Sequence, residues 1–136
     1  MAHPYHHAIS SAKQFGGKPE DYLPIHNWFD ATKAHVCDFR HRALRHHSQG
    51  IYDCEQVFGT TITNSNGKEV PTRLVGEQHV REDLGFIPSV GDWLRHLQAA
   101  EWMNKPIKDP HLNPTPLPPE PTSWHTPAPI KEGEES

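Results

Sequence analysis

Twelve of the 136 residues are histidine, and eight of those lie within the first 47 positions. The imidazole titrates near neutrality and, when neutral, is the commonest nitrogen ligand for zinc, iron, manganese or nickel, so this excess points first to metal chemistry. Spacing narrows the choice. His3 and His7 are four residues apart, as are His79 and Asp83, and a pair at that interval shares one helical face and can reach one ion. His46 and His47 bracket the apolar side of a long helical pattern, so they point toward the core, where an imidazole requires a hydrogen-bond partner or a metal. The preferred constellation joins His46 and His47 with His79, with Glu82 or Asp83, and with His6 or His7. Three or four such ligands from separate helices suit zinc, iron or manganese. A position left open would let the metal activate water, with whichever of Glu82 and Asp83 is not a ligand acting as general base.

Other readings of the same residues stand beside this one. A buried histidine can be hydrogen-bonded structure with no metal at all, and HExxH, adjacent His-Asp and ExxH patterns are absent. In the run Arg40-His41-Arg42-Ala43-Leu44-Arg45, Arg42 and Arg45 could capture a single phosphate. Equally, their stems could cover the core from a solvated surface.

The elements that must position these groups read as mainly helical with one hairpin (α+β). A first helix is predicted over 6–15, stopped by Gly16-Gly17. The longest is predicted from Pro24 to about His47. With His26 at 0° and 100° per residue, Trp28, Phe29, Val36, Phe39 and Ala43 cluster at about 250°, and Asp30, Asp38, His41 and Arg45 fall on the opposite side. Gly50 interrupts that helix, and a short helix follows over 51–58. Residues 60–63 and 70–74 flank Asn64-Ser65-Asn66-Gly67, a hairpin signal, with Pro71 marking an edge strand. A helix over 77–84 closes at Gly85. Ser89-x-x-Asp92 resembles a capping box for a last helix with Val90, Trp93, Leu94 and Leu97 on one stripe.

Composition divides the chain. Nine of fourteen prolines lie between Pro106 and Pro129, whereas all five phenylalanines and three of four tryptophans precede residue 104. The reading is one small domain over 1–103 and a proline-rich, disordered tail over 104–136, favouring polyproline II, in which Trp124 could anchor a protein partner. A net charge of −4 makes extended nucleic-acid binding an unlikely use of this surface. Two cysteines form no disulfide framework. With no apolar signal region and no membrane-length stretch, the expected location is cytoplasmic.

Five stretches carry a resemblance: His3-Pro-Tyr-His-His7, Gly16-Gly-Lys-Pro-Glu-Asp-Tyr-Leu-Pro24, Arg42-Ala-Leu-Arg-His-His47, Phe58-Gly-Thr-Thr and Gly76-Glu-Gln-His-Val-Arg-Glu-Asp83. Together they resemble an uncharacterised family of small, histidine-rich bacterial and phage proteins of unknown function, over roughly two-thirds of the chain. The resemblance implies no activity. It implies a bacterial or phage setting in which accessory proteins are common. The sequence therefore points to a divalent-metal-binding protein, with hydrolysis of a small phosphate- or amide-containing substrate as its reaction. The alternatives are a non-catalytic adaptor or accessory protein that binds a partner through its surface and tail, and a domain in which the metal is structural.

Overall fold

A computed structural model describes residues 3–105. Helix α1 (Pro4–Phe15) opens on a proline, whose fixed φ and missing N–H suit a first turn. His3 caps it, its Nδ1 accepting from the Tyr5 N–H at 3.1 Å. After Gly16 and Gly17, both at positive φ, a 3-10 turn at Pro19–Asp21 leads into α2 (Leu23–Asp30).

The predicted long helix ends here. Ala31–Ala34 tightens to a 3-10 turn, a second such turn spans Phe39–His41, and α3 covers only Arg42–Arg45. The reason is competition from short polar side chains for the backbone and for each other. The Thr32 hydroxyl bonds to Nδ1 of His41 at 2.9 Å, and Asp38, in extended conformation, accepts from the Arg40 N–H at 2.9 Å to start the second turn. A wheel drawn through residues 24–47 therefore has no meaning beyond Asp30.

Gly50 lies inside α4 (Ser48–Phe58) and does not interrupt a helix; the break is at His46-His47. His47, fully extended, caps α4 by accepting from the Gly50 N–H through Nδ1 at 2.9 Å. A Cβ on residue 50 would sit 1.8 Å from the Arg45 carbonyl oxygen, so only glycine lets the α3–α4 corner fold this tightly.

Strands β1 (Thr61–Thr63) and β2 (Glu69–Pro71) form an antiparallel pair with Ile62 opposite Val70. Gly67 takes positive φ in the connecting turn, as the Asn-Gly signal requires. The second strand is shorter than predicted because Pro71 caps α5 (Thr72–Leu84), which begins five residues earlier than the sequence pattern suggested and ends at Gly85 in the left-handed region. Helix α6 (Val90–Leu94) is shorter than the predicted last helix, continuing to Leu97 only as turns.

The described residues fall into two compact units, 3–90 and 91–105. In the first, α5 packs on α1, α2 and α4, and Ala8, Ile25, Phe29, Ile51, Val75 and Val80 meet in a core with Tyr22 and Cys54. Gly76 allows the approach of α5 to α2: its missing Cβ would lie 3.2 Å from the Phe29 ring. In the second, a 3-10 turn spans Glu101–Asn104. No described helix is long and apolar enough to cross a membrane. The proline-rich stretch and Trp124 lie outside the described residues.

Candidate metal centre

The core of the first unit holds an unusual amount of polar material. His7, His26, His41, His46 and His79 are all buried, as is the side chain of Asp83 (1 % exposed) and that of Asp30 (5 %). Helix α2 supplies His26 and Asp30, α5 supplies His79 and Asp83, and each pair is spaced i, i+4 along one face. His46 enters from the corner that ends α3, and His7 from α1.

Asp30, His46, His79 and Asp83 each offer one ligand atom, and the four atoms lie within 4.8 Å of one another. His46 Nε2 is 3.0 Å from Asp83 Oδ2 and 3.7 Å from Asp30 Oδ1. His79 Nε2 is 3.3 Å from Asp83 Oδ2 and 3.4 Å from Asp30 Oδ1. Ligands about 2.1 Å from a tetrahedral ion are separated by about 3.4 Å, and cis ligands of an octahedral ion by about 3.0 Å. These separations bracket both. Three of them exceed ordinary hydrogen-bond length, and neither oxygen of Asp30 nor Nε2 of His79 has a hydrogen-bond partner. A buried carboxylate without partners is costly, and a cation between the four atoms would satisfy it.

Charge agrees with geometry. Burial opposes ionisation of Asp83, yet the hydrogen bond to His46 and the neighbouring rings of His7 and His79 hold its carboxyl well below the usual range. Asp30, against the same burial, is lowered by His79. Burial pushes His46 down despite its contact with Asp83. Two ionised aspartates and neutral imidazoles would balance a divalent ion.

His7 stands beside this set. Its Nδ1 donates to Glu82 Oε1 at 2.7 Å, and its Nε2 lies 3.2 Å from Asp83 Oδ1. Burial disfavours the charged ring, but the hydrogen bonds to Asp83 and Glu82 raise its pKa overall. Glu82, a third exposed, is itself held by Ser10 Oγ at 2.6 Å and Gln78 Nε2 at 3.1 Å. A carboxylate orienting a histidine from behind is the usual arrangement around protein-bound metals.

Residues 2–103 match a family described as a domain of unknown function, DUF6915. The chain belongs to that family. No curated protein and no solved structure matches. The DUF6915 region contains every residue of the cluster.

Of the sequence-derived site residues, the DUF6915 fold brings together His7, His46, His79, Glu82 and Asp83. It does not bring His6 or His47 to them. His6 is exposed, and both nitrogens of His47 serve the backbone, Nδ1 at Gly50 N and Nε2 donating to Ala43 O at 3.1 Å. Arg42 and Arg45 also diverge. Arg42 Nη2 lies 3.7 Å from Asp83 Oδ1, whereas Arg45 stacks over Trp28 at 4.1 Å and donates to its carbonyl oxygen. Sequence reasoning missed Asp30, His26 and His41. Asp30 is the main correction: residues beyond the break set the wheel's apolar direction and placed it outward, whereas the buried face of α2 itself is Ile25, His26, Phe29 and Asp30. Its signal was available, since His26-x-x-x-Asp30 repeats the spacing of His79-x-x-x-Asp83.

Proposed function

We propose that this DUF6915 domain binds one divalent transition-metal ion (zinc, iron or manganese) through Asp30, His46, His79 and Asp83. His7, oriented by Glu82, is a further ligand or the partner of Asp83. The observation that carries the reading is the set of 3.0–3.7 Å separations among buried donors, several of them too long for hydrogen bonds and right for the edges of a coordination polyhedron. The donor set contains no sulfur, which suits iron, manganese and zinc. The ion would tie α2, the His46 corner and α5 together, so its binding would contribute to folding. Competition titration of the metal-free chain with zinc and a chromophoric chelator tests this. One site per chain is expected, weakened about a hundredfold or more by Asp30→Ala and unchanged by His6→Ala. No binding by the wild type, or equal binding by both variants, contradicts it.

A second reading, metal-assisted hydrolysis of a small phosphate- or amide-containing substrate, is favoured by the placement of Glu82. It is one-third exposed and backs His7, through whose ring it could draw a proton from a metal-bound water, and Arg42, 3.7 Å from Asp83 Oδ1, could meet an anionic group. Its test is turnover of model phosphoesters and amides by the metal-loaded protein, expected to fall in Glu82→Gln. Absence of metal-dependent turnover contradicts it.

A further inference from the structure

Behind His79 lies a buried row of polar groups whose hydrogen bonds can run in one direction only. Gln78 Nε2 is 2.9 Å from the His7 carbonyl oxygen and 3.1 Å from Glu82 Oε1, both acceptors, so the amide nitrogen faces them and Oε1 faces the other way. That oxygen lies 2.6 Å from Ser11 Oγ, whose single hydrogen goes to it or to the His7 carbonyl oxygen at 3.1 Å, both acceptors. Ser11 Oγ is then an acceptor toward His26 Nε2 at 2.7 Å, so His26 carries its proton on Nε2. His26 Nδ1 is 2.9 Å from His79 Nδ1, and with His26 neutral and protonated on Nε2 it can only accept. His79 therefore donates from Nδ1, so Nε2 is the nitrogen it presents to a cation, and that is the atom 3.3–3.4 Å from Asp83 and Asp30.

Reversing the row is expensive. If His26 donated from Nδ1, Ser11 would have to donate to its Nε2, and Gln78 would have to turn its nitrogen to Ser11. Its Oε1 would then abut the His7 carbonyl and Glu82, placing acceptors against acceptors in the interior. His26 also forms no ion pair among the described residues that would favour a doubly protonated ring.

We infer that Gln78, Ser11 and His26 are positioning residues that fix His79 in its Nδ1–H form and turn the lone pair of Nε2 toward Asp30 and Asp83. The order of hydrogen bonds stands on its own. Its consequence, a ligand nitrogen held ready for a cation, rests on the metal reading above.

The test uses the full chain, 15N-labelled and metal-free at pH 7.5, with long-range 1H–15N correlation of the histidine rings. His79 is expected to carry a proton on Nδ1, and His26 to be neutral with its proton on Nε2. In His26→Phe, which keeps ring volume but removes the acceptor, His79 should lose its fixed form and zinc affinity should fall about 10–100-fold. His26→Gln, whose amide can accept from His79 and donate to Ser11, should recover most of that affinity, which a merely space-filling role would not produce. Ser11→Ala gives the same loss by a smaller change should the phenylalanine variant not fold. Wild-type His79 without a proton on Nδ1 overturns the inference even where zinc binds. An Nδ1–H His79 in a chain that binds no zinc supports the hydrogen-bond order and overturns the metal reading instead.

Discussion

Metal-free protein should lose stability steeply on mild acidification. Burial pushes His26 down to about 2 and lowers His46 and His47, so these rings stay neutral in the folded chain while the unfolded chain protonates them near pH 6.5. For a depressed folded pKa, stability is fully present above the unfolded value and is lost as pH falls toward the folded one. From pH 7.5 to 5.5 a histidine that stays neutral throughout, as His26 does, costs about 1.4 kcal/mol, and His41, His46 and His47 act in the same direction. His7 acts oppositely: burial lowers its pKa, but Asp83 and Glu82 outweigh that and raise it, so its contribution grows as pH falls and offsets part of the loss. Asp30, Glu82 and Asp83 are all lowered, so their contributions are lost only below the ordinary carboxylate range, outside this window. The net loss, four lowered histidines against one raised, is drawn from a typical small-domain stability of only about 5–15 kcal/mol. Urea denaturation of chelator-treated protein at pH 7.5, 6.5 and 5.5 measures it. His47→Asn, which can still cap α4, should make the curve shallower by about one histidine's share. Stability that is flat or rising toward pH 5.5 would refute the reasoning.

Saturating metal at about 100 times its dissociation constant should add about 2.7 kcal/mol, raising the melting temperature by about 10–20 °C, reversibly with a chelator in thermal unfolding. Gly50→Ala should destabilise by about 3 kcal/mol or more in urea, because its Cβ would collide with the Arg45 carbonyl; a loss under about 1 kcal/mol would contradict the tight corner. His47→Ala should cost about 1–2 kcal/mol through the lost α4 cap while leaving metal stoichiometry intact, since neither ring nitrogen faces the cluster; loss of metal in that variant would place His47 in the site.

What was legible in the sequence followed short-range rules. The Asn66-Gly67 turn, the glycine stops at 16 and 85, and the shared face of His79 and Asp83 all depend on neighbours within a few residues. What was not legible depended on where a helix breaks. An unbroken periodicity through residues 24–47 hid the bonds of Thr32 to His41 and of Asp38 to Arg40, and with them the true inward face of α2, which includes Asp30. His46 and His47 were both placed inward, and both are buried, yet one faces the aspartates and the other caps a helix. Two adjacent residues at a corner diverge in a way that no wheel can show. The convergence of α2, α5 and the His46 corner is a long-range property, and spacing alone specified only its halves.

The most direct test of the metal centre is elemental analysis of tag-free, full-length protein alongside His46→Ala and His79→Ala. Close to one transition-metal ion per wild-type chain, lost in both folded variants, is the outcome that follows from the four converging donors. A wild-type chain that is folded, metal-free and no more stable with added zinc, manganese or iron would contradict it.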